Sequence, residues 1–131
     1  RLAALLALLI PGAAWADCPL DLGRGTGLVI FSSHYLVAFR AEPLRIEVGE
    51  PFSLLVNACT RGNNPAELVG VDAQMPEHRH GMNYRPTLQV QADGRFTAQG
   101  LMLHMPGRWR IRFEVESGGR RQWLDHTLEV K

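Results

Sequence analysis

The sequence predicts an all-β chain, an immunoglobulin-like or cupredoxin-like β-sandwich of seven or eight strands. Two observations predict it. Beyond residue 30, apolar and polar residues alternate with period two, and Gly, Pro, Asn or Asp punctuates the runs. After the N-terminal apolar stretch no segment carries a convincing helical period. A length of 131 residues suits one domain, since domains commonly run to roughly 100–150 residues.

The first element is a targeting segment. Arg1, an apolar run over 2–10, Pro11-Gly12 and Ala14-Trp15-Ala16 have the order of a secretory signal peptide over 1–16, cleaved after Ala16. The competing reading is a retained anchor, but the run is short of the about 20 residues that span a bilayer. A single β-sandwich domain is then expected over 17–131, exported and without stable membrane insertion. Cys18 and Cys59 are the only two cysteines, and an oxidising compartment favours a disulfide between them. The alternative is a reduced pair that binds a soft metal.

The strands follow in order. Residues 34–39 suggest an edge strand. Leu44, Ile46 and Val48 alternate before Gly49-Glu50-Pro51, and Phe52, Leu54, Val56 and Ala58 continue the pattern. Residues 61–65 form a polar loop. Val69, Val71 and Ala73 mark the next strand, Leu88 and Val90 a shorter one, and 96–103 another. The clearest is 108–116, where Trp109, Ile111, Phe113 and Val115 alternate with charged residues. Ser117-Gly118-Gly119-Arg120 turns it into a last strand with Leu124, His126, Leu128 and Val130 on one face. Inside the sandwich the pattern places Leu54, Val56, Val71, Trp109, Ile111, Phe113, Val115 and Leu128.

Charge excludes some partners. Fourteen basic against thirteen acidic residues give +1, which offers no electrostatic case for nucleic acid or an anionic membrane. Ser32-Ser33-His34 is no catalytic triad and no Gly-rich phosphate loop occurs. The chain is not expected to be an enzyme.

His and Met are unevenly placed. Five His and four Met occur, and seven of these nine fall within 75–82 and 102–105. Random placement would leave about one there. Both windows sit at strand ends with turn residues, where sites are built. Imidazole suits copper in both oxidation states, and thioether favours Cu(I). In an extended segment residues two apart share a side, so His78 and His80 face one ion, with Met82 in the same parity. His104 and Met105 point to opposite faces unless Pro106 bends the chain. The candidate metal ligands are therefore His78, His80, Met82, His104 and Met105, with Asp72 available to orient an imidazole. Zinc is disfavoured by the thioethers and by the lack of a carboxylate or cysteine set. Met75 keeps the phase of its strand and reads as core filler. Of Met102 and Leu103, one is buried. His126 reads as a hydrogen-bonded core histidine, and His34 shows no pairing.

The ordered set Met75-Pro76-Glu77-His78-Arg79-His80-Gly81-Met82, Pro86, Gly94-Arg95-Phe96, and Met105-Pro106-Gly107-Arg108-Trp109 resembles the FixH/YtkA-like family of small exported bacterial proteins. The resemblance covers residues 40–131. It implies an immunoglobulin-like sandwich in the periplasm, tied to copper handling and cytochrome oxidase assembly. The expected function is copper binding, for handling, homeostasis or delivery of Cu(I) or Cu(II) to a periplasmic or membrane-bound acceptor protein. The alternative is a non-catalytic immunoglobulin-like interaction module without metal.

Overall fold

Strict alternation over 107–117 commits one face of that stretch to the interior, and the rest of the molecule is arranged around it. The computed structural model describes residues 18–22 and 27–131. The expected secretory segment, 1–16, lies outside the described residues.

Among the described residues nine strands form: β1 (Leu28–Phe31), β2 (Tyr35–Glu42), β3 (Phe52–Thr60), β4 (Glu67–Met75), β5 (His80–Gly81), β6 (Thr87–Val90), β7 (Phe96–Leu101), β8 (Gly107–Ser117) and β9 (Arg120–Val130). They build two antiparallel sheets, ordered β1-β2-β3-β7-β6 and β5-β4-β8-β9. The fold is an all-β, two-sheet sandwich, with nine strands among the described residues where seven or eight were expected. Among the described residues no helix is long and apolar enough to cross a membrane.

The core is the alternating set. Leu54, Val56, Val71, Trp109, Ile111, Phe113 and Val115 are buried. Leu128 is half-buried against them. Each such side chain contributes roughly 1.5–3 kcal/mol on burial. Phe39 of one sheet meets Phe113 of the other with ring centroids 4.8 Å apart. The hairpin between β8 and β9 turns on Gly118 and Gly119, with φ of 59° and 79°. Two consecutive positive φ values match the twist of the flanking strands, and glycine adopts them without a Cβ penalty. Cys18 and Cys59 are disulfide-bonded across 41 residues, which stabilises by about 4 kcal/mol in the chain-entropy model. Asn57, buried beside the bridge, donates to the Pro19 carbonyl.

Four local expectations are corrected. Of residues 34–39, 35–39 belong to β2, which is flanked by β1 and β3 rather than lying at an edge. The edge is β1, whose Leu28, Val29 and Phe31 are exposed; LVIF has no alternation to betray it. Residues 44–48 form no strand. They belong to the β2–β3 connection, with Leu44 exposed while Ile46 and Val48 cover the margin of the core. A bulge between Leu68 and Gly70 resets the phase of β4, so Leu68 is buried and Val69 is not. His126 is half-buried rather than a core residue, its ring 5.3 Å from Phe39.

Candidate metal centre

One end of the sandwich collects both His/Met windows. β4 ends at Met75, which is 1% exposed, because Pro76 cannot continue the ladder. Residues 76–79 make a turn in which the His78 amide donates to the Met75 carbonyl at 3.1 Å and Arg79 takes φ 55°. The chain then returns as β5, pairing Met75 with His80 and Gln74 with Gly81. Directly paired residues project to one side of a sheet. Since Met75 faces the interior, so does His80. β8 runs along the other edge of β4, pairing Gln74 with Arg110 and Ala73 with Ile111; the same register brings Trp109 alongside Met75.

The second window approaches from the other sheet. After β7, Leu103 is buried and its carbonyl accepts the Gly49 amide at 2.8 Å. The Trp109 indole N–H donates to the Met105 carbonyl at 3.0 Å, fixing the corner at 105–106. This corner delivers His104 inward. Its ring lies 5.2 Å from that of His80 and 5.5 Å from Trp109, nearly perpendicular to the indole. The His80 ring is 6.2 Å from Trp109. Met82 and Met105 are half-buried against the core, and Met102 is half-buried while Leu103 takes the interior.

His80 Nε2 and His104 Nδ1 are buried and have no hydrogen-bond partner, the only such side-chain atoms among the described residues. An unsatisfied buried polar group costs about 1–3 kcal/mol. A neutral imidazole can present a nitrogen lone pair, so two such atoms on facing rings fit a metal that takes imidazole ligands. No three His, Cys, Asp or Glu side chains converge as a metal-holding group among the described residues. The methionines that accompany the two histidines in the sequence carry thioether sulfur, which suits copper rather than zinc.

The sequence-predicted residues are placed as follows. His80 and His104 come together. His78 is exposed in the turn, with its ring 5.7 Å from that of His80. The extended parity expected for residues 78–80 does not hold, because 76–79 is a turn; the hairpin register, not parity, turns His80 inward. Asp72 orients no imidazole: one carboxylate oxygen accepts the Ala73 amide at 2.8 Å and the other the Gln74 side-chain amide at 3.4 Å. His34, expected to be unpaired, has Nδ1 2.8 Å from Ser33 Oγ and 3.2 Å from Gln122 Nε2. Met75 and Trp109 are core side chains, as expected; their place beside His80 was not read from the sequence. The four-residue reversal at 76–79 was the available signal, since a turn of that length sets its flanking residues opposite each other.

No protein family and no curated protein matches this sequence. Its likenesses are structural. The fold resembles that of a DUF4426 family protein from Pseudomonas aeruginosa PAO1, with a TM-score of 0.56 and 12% identity over 80% of this chain and 94% of that one. It also resembles a copper-bound variant of FetP from uropathogenic Escherichia coli, with a TM-score of 0.52 and 9% identity over 80% and 95% of the two chains. At these identities the likeness establishes a shared sandwich.

Proposed function

We propose that this chain is a non-catalytic, exported copper-binding protein that handles or delivers copper through His80 and His104 at one end of its sandwich. The observation that carries the reading is the pair of buried, unpartnered nitrogens, His80 Nε2 and His104 Nδ1, on rings 5.2 Å apart. Met82 and Met105, two residues after His80 and one after His104, are half-buried, and His78 is an exposed imidazole whose ring lies 5.7 Å from that of His80. The disulfide agrees with an oxidising compartment, and the periplasm is the location we assign. The similarity to copper-bound FetP supports the same direction. So does the ordered MPxHxHGM and MPGxW pattern, on which we place the chain in the FixH/YtkA-like family. A loop-built site at the end of a sandwich suits transfer to an acceptor protein.

Copper titration of the full mature chain, monitored by competition with a chromogenic chelator, tests this. The His80→Ala/His104→Ala double variant is expected to lose copper binding while its β-type far-UV spectrum persists. Undiminished binding by that variant would sink the reading and leave the metal-free interaction module in its place.

A further inference from the structure

Met75 entered the sequence reading as core filler, yet it is the cross-strand partner of His80 and shares its inward face. We propose that Met75 is a ligand, and that His80, His104 and Met75 form a neutral donor set that selects Cu(I) over Cu(II). The proposal rests on the copper reading above and sharpens it.

Three observations carry it. First, register places the Met75 side chain on the same face as the orphaned His80 nitrogen, at the closest cross-strand position. Second, the room for Met75 is made by its neighbour. Gly107 has φ 132°, and a Cβ there would meet the Met75 methyl carbon at 2.7 Å. The thioether end thus occupies space that any other residue at 107 would fill. Third, no three His, Cys, Asp or Glu side chains converge among the described residues, so His80 and His104 have no third donor of those types, and Met75 offers a soft thioether on the face of His80.

The charge argument selects the oxidation state. Two imidazoles and a thioether contribute no negative charge. Desolvating an ion in a low-dielectric site grows steeply with its charge, so a divalent ion without an anionic ligand is penalised far more than a monovalent one. Softness acts in the same direction, because thioether sulfur favours Cu(I). Both terms prefer Cu(I).

The test uses the full mature chain, anaerobic Cu(I) competition, Cu(II) titration, and X-ray absorption of the Cu(I)-loaded protein. Tighter binding of Cu(I) than of Cu(II) is expected, with nitrogen and one sulfur scatterer at copper. Met75→Leu, a volume-conserving swap that cores tolerate, should remove the sulfur and weaken Cu(I) binding on the order of 10–100-fold. Met102→Leu should change neither. A parent spectrum without sulfur overturns the assignment whatever the variant's folding. So does loss of sulfur in Met82→Leu or Met105→Leu but not in Met75→Leu. If His80→Ala/His104→Ala abolishes binding while Met75→Leu binds Cu(I) as the parent does, Met75 is no ligand and the copper reading stands. Tighter Cu(II) than Cu(I) binding overturns the selectivity.

Discussion

The two ends of the sandwich treat their polar side chains in opposite ways. At the end closed by the β8–β9 hairpin, the groups bond one another. The Tyr35 hydroxyl donates to the Arg120 carbonyl at 2.6 Å, and the Ser32 hydroxyl to Gln122 Oε1 at 2.7 Å. The Arg61 guanidinium donates twice to the Ser32 carbonyl, and His34 Nδ1 has two neighbours within hydrogen-bond reach. At the other end, His80 Nε2 and His104 Nδ1 are buried with nothing to bond. Histidine occurs at both ends, so residue type does not separate them. What separates them is whether the chain itself satisfies the imidazole. A buried group left open at a cost of about 1–3 kcal/mol needs a partner from outside.

Trp109 gives the largest expected effect on this contrast. It is fully buried, and both unpartnered histidines pack against its ring. Trp109→Ala should destabilise the protein by roughly 3–5 kcal/mol, measured by chemical denaturation. It should also lower copper affinity in whatever fraction folds, because the indole N–H holds the 105–106 corner that delivers His104. A stable variant with parental copper binding would show that this end does not depend on the indole.

Legibility in the sequence also differs between the ends. The hairpin end was readable because its information is local: alternation along β8 and a Gly-Gly turn fix face and register together. The disulfide was readable because only one pairing existed. At the site end the two windows were found by composition, but not their geometry. His80 turns inward through its pairing with Met75 across a turn, and His104 through a bend anchored by Trp109, and both are tertiary facts. Residues 44–48 misled for a related reason. Leu44, Ile46 and Val48 alternate, yet a strand needs a neighbour to accept its hydrogen bonds, and this connection has none along that stretch. The bulge in β4 likewise leaves no sequence mark beyond Gly70.

A matched pair of substitutions sharpens the comparison at smaller amplitude. Tyr35→Phe removes a hydroxyl that donates to Arg120 and Ser117 carbonyls, and should cost about 0.5–1.5 kcal/mol. His104→Leu removes an imidazole with an orphaned nitrogen. In metal-free protein it should be neutral or slightly stabilising, because the apolar replacement takes away an unpaid desolvation. Urea denaturation of both variants decides the matter. If His104→Leu costs as much as Tyr35→Phe, the imidazole is already satisfied in the free protein and the two ends do not differ as described.

The smallest expected effect lies between the ends, at His126. Its ring packs on Phe39, and burial pushes its pKa below the usual imidazole value of 6.5. The unfolded chain therefore binds a proton at this residue more readily than the folded one. Stability rises with pH where the unfolded state holds more protons, so this contribution is fully present above about 6.5. It is lost as pH falls from there toward the lower folded value. His126→Leu should flatten the pH dependence of unfolding free energy in that window and leave stability at neutral pH nearly unchanged, because neutral imidazole and leucine both rest against Phe39. Metal-free protein should be used, so that copper linkage at His80 and His104 does not enter. Identical slopes in parent and variant would remove His126 as a source of acid sensitivity.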